Sequence, residues 1–215
     1  MMDINQESDV LLLVDIQNDF LPGGALAVHA GDLILPVVNA LQAKFDLIVA
    51  TQDFHPANHE SFAANHKGKK IGEQILLDGL PQILWPVHCV NGTDGAEFSK
   101  DLHKDSWRGI IQKGKNPKLD SYSGFFDNAK REDTGLNQLL RGLGVKRVFV
   151  VGLALDYCVK FTALDAQELG FETFLITDGT KAVNLNENDG AKALEEIQAA
   201  GVKLLQSQDL NKRHV

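Results

Sequence analysis

The sequence alternates short, mostly apolar runs with longer segments in which apolar residues recur every three or four positions. The first kind, typical of strands, occupies residues 10–14, 47–50, 110–111, 148–151, 171–177 and 202–205. The second kind, typical of helices, occupies residues 33–44, 136–143, 157–169 and 187–200. Strands that are apolar on both faces are typical of a parallel sheet covered by helices on each side. We therefore predict an α/β fold with a doubly wound parallel sheet.

A chain of 215 residues is long enough for one complete hydrophobic core, so we expect a single domain over residues 1–215. The segment at about 53–109 interrupts the alternation. It is dense in Gly, Pro, His and Asn and has no long helical pattern. Loop regions of this length in compact domains are usually functional. It also holds four of the seven histidines: His55, His59, His66 and His88.

Composition and charge limit the partners of the chain. The formal net charge is −8 at pH 7 without a basic cluster, which argues against nucleic acid and anionic membranes. No apolar run approaches the roughly 20 residues that cross a bilayer, and residues 1–9 lack a signal-peptide pattern. Two cysteines, Cys89 and Cys158, are too few for a disulfide framework. We expect a cytoplasmic monomer or homo-oligomer that acts on a small molecule.

Cys158 follows the apolar run 148–151 and lies near the start of the predicted helix 157–169. Asp156 is the expected N-cap of that helix, and Gly170 is its expected stop. Free N–H groups and the helix dipole at an N-terminus favour a thiolate and could hold an oxyanion. Cys158 is therefore a candidate nucleophile. The alternative is a small buried hydrophobic residue, as most free cysteines are, and position alone does not decide between them.

An acid and an amine also follow predicted strands. Asp15 comes directly after the run 10–14, and Lys113 ends the short strand near 110–111. Because the carboxyl ends of parallel strands meet at one edge, these groups and Cys158 are expected to converge. A carboxylate can accept the thiol proton, and the lysine cation favours both ionised partners, so the set suits acyl transfer. Taken singly, Asp15 could cap a turn and Lys113 could be a solvated surface charge.

A second group of side chains has the composition of a metal site. Asp53 and His55 alternate on an extended segment and can reach one ion, which His88 can complete from a distant loop. Three protein ligands leave coordination positions open, and this mixed set suits zinc, iron or manganese. His59, beside Glu60, could be a fourth ligand or could contact a ligand. Any one of these histidines could instead be an ordinary hydrogen-bonded loop residue.

Several motifs, in one order along nearly the whole chain, resemble those of the isochorismatase-like cysteine hydrolases, and within them the nicotinamidases. The matching segments are residues 14–20, 53–56, 85–90, 113–114, 122–125 and 156–159. The resemblance implies an isochorismatase-like hydrolase fold and hydrolysis of nicotinamide to nicotinate and ammonia in NAD salvage, with pyrazinamide as a further expected substrate. One divalent transition metal is implied as cofactor, zinc in the first place and iron or manganese as alternatives.

The same resemblance assigns roles to individual residues. It implies a catalytic triad of Asp15, Lys113 and Cys158, and metal ligands at Asp53, His55 and His88. It also implies an oxyanion hole from the backbone N–H groups of Ala154 and Cys158, with a cis peptide between Leu153 and Ala154, and a pyridine pocket walled by Phe20, Trp85 and Tyr122. One departure is Leu155, where the family usually has threonine, and this change could alter the oxyanion loop or the pocket.

Three other functions stay open at this point. A related cysteine amidase could act on a ureido or carbamoyl substrate, for which the metal ligands would be unneeded. A metallohydrolase could use a metal-activated water, with Cys158 merely structural. A noncatalytic binding or redox-sensing protein is the third, and it leaves the coincidence of Asp15 and Lys113 unexplained.

Overall fold

A computed structural model of the chain describes residues 1–212. These residues form ten strands: β1 (Met2–Ile4), β2 (Asp9–Val14), β3 (Leu47–Asp53), β4 (Gln74–Leu77), β5 (Leu80–Ile83), β6 (Gly109–Lys113), β7 (Arg147–Leu153), β8 (Glu172–Lys181), β9 (Lys203–Leu205) and β10 (Leu210–Lys212). Six of them build the main sheet in the order β6-β3-β2-β7-β8-β9, and every neighbouring pair is parallel. The predicted parallel sheet is confirmed.

The strand order determines where a ligand can bind. Counted along the chain within the main sheet, the order is 3-2-1-4-5-6, so the winding direction reverses between β2 and β7. At such a reversal the connections leave the carboxyl ends of neighbouring strands in opposite directions, which opens a crevice there. The segments that follow β2 and β7 therefore border the expected binding site.

Helices cover both faces of the sheet: α1 (Leu35–Gln42), α2 (Leu136–Gly142), α3 (Lys160–Glu168) and α4 (Asp189–Ala199). Alternate residues of the fully buried strand β2 point to opposite faces. Leu11 and Leu13 join the hydrophobic cluster that contains α1, and Val10, Leu12 and Val14 join the cluster that contains α2, α3 and α4. Burial on two faces explains the continuous apolar runs, and it confirms the doubly wound arrangement.

The start of the predicted helix 157–169 differs from the expectation. A π-helical turn at Leu155–Val159 precedes α3, and Asp156 does not cap it. The Asp156 carboxylate accepts hydrogen bonds from the backbone N–H groups of Val183 (2.9 Å) and Asn184 (2.8 Å). The predicted N-cap was therefore wrong, because Asp156 ties the turn after β7 to the loop after β8.

Some short elements have no counterpart among the predicted ones. β1 pairs with β10, and β4 pairs with β5 as an antiparallel hairpin inside the long loop region. These strands have three or four residues each and are partly exposed, so they lack a continuous apolar pattern. Residues 53–109, all of which the structure describes, contain no α-helix, as expected. Within residues 1–212 no helix is both long and apolar enough to cross a bilayer.

Candidate active site

Three strand ends bring Asp15, Lys113 and Cys158 together in the interior. Asp15 follows β2 directly and has a φ of 49°, in the left-handed region, which turns the chain sharply after the strand. Lys113 is the last residue of β6, and Cys158 lies in the π-helical turn after β7. All three residues are buried. In the structure these three side chains converge, as the strand pattern predicts.

The Lys113 ammonium is the centre of this group. Its Nζ atom lies 2.9 Å from Asp15 Oδ2, 3.5 Å from Cys158 Sγ and 2.5 Å from Asp53 Oδ1, and it donates to the Ser121 carbonyl at 2.8 Å. A carboxylate oxygen of Asp15 lies within 4.8 Å of the sulfur of Cys158. One buried cation thus faces two carboxylates and a thiol.

Burial and charge set the protonation of the three groups. Burial opposes the charge of Lys113, but the carboxylates of Asp15 and Asp53 outweigh it and hold the pKa of the ammonium well above its usual value. Burial raises the pKa of the Asp15 carboxyl, and the Lys113 charge acts against that rise. Burial likewise raises the pKa of the Cys158 thiol, with Lys113 again opposing. The expected thiolate at a helix terminus is therefore replaced by a neutral thiol that needs a base.

Thr51, which the sequence analysis missed, holds the Asp15 carboxylate. Its hydroxyl donates a 2.7 Å hydrogen bond to Asp15 Oδ1, and its carbonyl accepts the Asp15 N–H at 3.3 Å. Thr51 is fully buried in β3, beside β2 in the sheet. With Oδ1 engaged in this way, Oδ2 is the oxygen that faces Lys113.

Asp53, His55 and His88 form the second group. His55 Nε2 lies 3.5 Å and His88 Nε2 3.9 Å from Asp53 Oδ2. The Nδ1 atoms of the two histidines are each 2.8 Å from a backbone carbonyl, that of Gly114 for His55 and of Pro86 for His88. A carbonyl can only accept, so Nδ1–H donates and both Nε2 lone pairs converge on the carboxylate. This donor set fits a divalent metal ion.

The charge state of Asp53 suits that role. Burial opposes ionisation of its carboxyl, but the charge of Lys113 acts against burial, and the pKa lies well below its usual range. Gln17, a second residue that the sequence analysis missed, fixes the Asp53 backbone. Its side chain accepts the Asp53 N–H at 2.8 Å and donates to the Asp53 carbonyl at 2.8 Å. Thr51 has no sequence signal of its own, and Gln17 lies in the matched segment 14–20 without an assigned role, because each contact joins residues 36 positions apart in the chain.

Aromatic side chains wall a cavity that reaches the thiol. Phe20, Trp85 and Tyr122 line it together with Cys158 and His88, as predicted for a flat substrate. The cavity lining also includes four residues that were not predicted: Leu26, Asp120, Tyr157 and Val183.

The walls of this cavity support one another. The Trp85 indole N–H donates to the Tyr122 hydroxyl at 3.2 Å. The Tyr157 ring meets the Trp85 ring edge-on, with centroids 4.9 Å apart. Tyr157 directly precedes the candidate nucleophile in the chain, so the turn that carries Cys158 also supplies one wall of the cavity.

The turn around Cys158 has the expected backbone features. The Leu153–Ala154 peptide bond is cis. The Ala154 carbonyl accepts the N–H groups of Tyr157 and Val159, each at 3.1 Å, and these residues flank Cys158. Leu155, in place of the family threonine, is buried in the hydrophobic cluster under α3 and is not among the residues that line the cavity.

A buried thiol, base and cation at the switch point of a doubly wound parallel sheet, beside a site for a divalent ion, define a hydrolase with a cysteine as candidate nucleophile. The isochorismatase domain family matches residues 9–209 of the chain. The chain belongs to this family.

Individual relatives cover almost the entire chain. The nicotinamidase of Escherichia coli strain K12 is 48% identical over 198 residues, which are 90% of this chain and 92% of that protein. A nicotinamidase and pyrazinamidase structure from Acinetobacter baumanii has a TM-score of 0.92 and 46% identity, covering 94% of this chain and 98% of the other. The pyrazinamidase of Pyrococcus horikoshii in complex with zinc has a TM-score of 0.76 and 44% identity, covering 93% and 99%.

Proposed function

We propose that this protein hydrolyses nicotinamide to nicotinate and ammonia, as a step in the salvage of NAD. The observation that carries the proposal is the position of Lys113 Nζ, 2.9 Å from Asp15 Oδ2 and 3.5 Å from the sulfur of Cys158, which lines an aromatic cavity. An acid and a thiol in this arrangement support acyl transfer from an amide. The high identity to nicotinamidases supports this substrate.

In the first half of the reaction Asp15 removes the proton from the Cys158 thiol. The sulfur then attacks the carboxamide carbon and forms a tetrahedral oxyanion, to which the backbone N–H groups of Ala154 and Cys158 donate. The Lys113 ammonium stabilises negative charge first on Asp15 and then on the sulfur. Asp15 returns its proton to the leaving nitrogen, so ammonia departs and a thioester to Cys158 remains.

In the second half a water replaces ammonia beside Asp15. Asp15 takes a proton from this water as its oxygen attacks the thioester carbon, and the second oxyanion is held by the same two N–H groups. Collapse breaks the carbon–sulfur bond and releases nicotinic acid, which loses its proton to solvent and becomes nicotinate. The proton on Asp15 returns to the sulfur, so the cycle ends with the starting thiol and carboxylate.

Phe20, Trp85 and Tyr122 bind the pyridine ring and exclude water around it. Asp53, His55 and His88 would hold the metal, which we propose to be zinc. When bound, the ion would supply a Lewis acid for the ring nitrogen, directly or through water, which would help to orient the ring and its carboxamide. Pyrazinamide has a similar flat shape and, like nicotinamide, a ring nitrogen meta to its carboxamide. We therefore propose it as a second substrate. Both cysteines are free thiols, in keeping with a cytoplasmic location.

The test is ammonia release from a panel of amides by the purified zinc-loaded protein. We expect rapid turnover of nicotinamide and pyrazinamide and little turnover of benzamide, which lacks a ring nitrogen. Faster turnover of ureido or carbamoyl compounds, with no need for metal, would instead identify a related amidase. No ammonia release from any amide would leave a noncatalytic binding protein.

A further inference from the structure

His59 is fully buried, and its two ring nitrogens have different surroundings. Nδ1 accepts the backbone N–H of Ser61 at 3.2 Å and lies 2.7 Å from the Ser61 hydroxyl oxygen. An N–H group can only donate, so Nδ1 must offer its lone pair and carries no proton. The proton of the neutral His59 ring is therefore on Nε2.

That Nε2–H group has no hydrogen-bond acceptor among residues 1–212. Buried donors in folded proteins are nearly always paired with a protein group or an ordered water, because leaving one without an acceptor is unfavourable. The side chains around His59 show what can accept from it. A ring nitrogen of His59 lies within 4.8 Å of a carboxylate oxygen of Asp120 and of a ring nitrogen of His55. Since Ser61 occupies Nδ1, Nε2 is the nitrogen available to face them.

Asp120 is buried and already anchored. Its two oxygens accept the Ser121 N–H at 2.8 Å and the Gln82 side-chain amide at 3.0 Å, and each oxygen can accept a further bond. Asp120 makes no direct hydrogen bond to His59. The Asp120 oxygen and the His59 nitrogen are thus too far apart for a hydrogen bond but within 4.8 Å of each other. One water molecule can bridge two polar groups at such a distance. Asp120 also lines the cavity, together with Asp53 and His88.

We propose that His59 does not ligate the ion held by Asp53, His55 and His88. Its Nε2–H donates to a water oxygen on the open side of that site, and Asp120 accepts a hydrogen bond from the same water. His59 is thus a positioning residue. Groups that act on a metal site through such contacts fix its geometry and contribute to its affinity. The inference rests on the proposed function for the presence of the ion, but it does not require the amide reaction.

Nitrogen NMR of the full-length, zinc-loaded protein tests the proton position. The His59 resonances are assigned by their loss in His59→Phe. We expect Nδ1 of His59 to have the chemical shift of a nitrogen without hydrogen. We expect Nε2 to show a one-bond coupling to the hydrogen that it carries. A His59 Nε2 without hydrogen, coupled to cadmium-113 in the cadmium-loaded protein, would identify a direct ligand and overturn the proposal.

Zinc affinity, measured by competition with a chelator, gives a second readout. His59→Phe keeps a ring that can pack against His55, whose centroid is 4.4 Å away, but it lacks the donor. We expect zinc binding to weaken about tenfold while one zinc is still bound at saturation. Affinity equal to that of the unmodified protein, or a loss as complete as in His88→Ala, would overturn the proposal.

His66→Phe is the matched control. His66 lies on the same loop, but its Nε2 atom is 2.6 Å from the Glu60 carbonyl, so it has its own acceptor. Its zinc affinity should equal that of the unmodified protein. Nicotinamide turnover of the unmodified protein is measured in parallel. Absence of ammonia release would reject the proposed function, whereas the NMR and zinc measurements would still decide the position of His59.

Discussion

Lys113 Nζ lies 2.5 Å from Asp53 Oδ1, so one buried ammonium joins the candidate nucleophile group to the candidate metal site. The same nitrogen lies 2.9 Å from Asp15 Oδ2. Both carboxylates are buried, and the positive charge of Lys113 lies in contact with the negative charge of each. The residue therefore has a structural role as well as a chemical one.

Replacing Lys113 by methionine should weaken the fold and abolish turnover. The change keeps the volume of the side chain but leaves two buried carboxylates without their cation, which typically costs about 3 kcal/mol or more. Urea denaturation of the metal-free protein measures the loss of unfolding free energy. Lys115→Met is the control, because Lys115 is exposed and lies only two residues further along the chain. A Lys113→Met protein that unfolds at the same urea concentration as this control would show that the buried ion pairs add no stability.

Replacing Cys158 by alanine separates the thioester mechanism from catalysis by a metal-activated water. The first requires the sulfur, so nicotinamide turnover should fall at least ~1,000-fold while zinc stays bound. Ammonia release and zinc content of the same sample measure the two properties. Cys89→Ala, which removes the other buried thiol, should keep its turnover. Retention of most activity in Cys158→Ala would favour the metallohydrolase.

The sequence predicts the main sheet well because its strands are buried on both faces. The runs at 10–14 and 148–151 are apolar at every position, and the structure extends them only slightly, to Asp9–Val14 and Arg147–Leu153. The positions of Asp15 and Lys113 follow from the same pattern, since each lies at a strand end. Local periodicity is thus enough to locate the edge of the sheet where the site forms.

Contacts between distant segments are what the sequence pattern misses. Asp156 has the spacing of an N-cap, yet its carboxylate bonds to backbone groups 27 and 28 residues away. Thr51 and Gln17 look like ordinary residues of a strand and a loop, and only the pairing of β2 with β3 brings them to Asp15 and Asp53. The hydrophobic pattern fixes neither contact, because both are polar and depend on the register of the strands.

Thr51→Val should slow catalysis without changing substrate binding. Valine has nearly the same shape but cannot donate to Asp15 Oδ1, so the buried carboxylate loses a hydrogen bond. This bond favours the charged form of Asp15, so its loss raises the pKa of the buried carboxyl further and leaves less of the base ionised at neutral pH. Bonds to charged groups contribute about 1.5–3 kcal/mol, so kcat at neutral pH should fall about tenfold or more. KM for nicotinamide should stay the same, since Thr51 is not among the residues that line the cavity. Thr51→Ser keeps the hydroxyl and should restore most of kcat; a serine variant as slow as the valine variant would show that packing, not the hydrogen bond, matters.

Gly114→Ala should weaken zinc binding through a steric effect on His55. A Cβ atom at Gly114 would lie 2.4 Å from Cε1 and 2.6 Å from Nδ1 of the His55 ring, so the imidazole must leave the position in which its Nε2 lies 3.5 Å from Asp53 Oδ2. Gly144→Ala is the matched control, because its φ of +74° is close to the +66° of Gly114 but its Cβ would meet nothing within 4 Å. Both variants should lose about 1 kcal/mol or more of stability, since alanine is strained at positive φ. Only Gly114→Ala should also bind zinc at least about tenfold more weakly in a chelator competition. Equal zinc affinities in the two variants would mean that the position of the His55 ring does not limit metal binding, and His55 would then lose its place among the ligands.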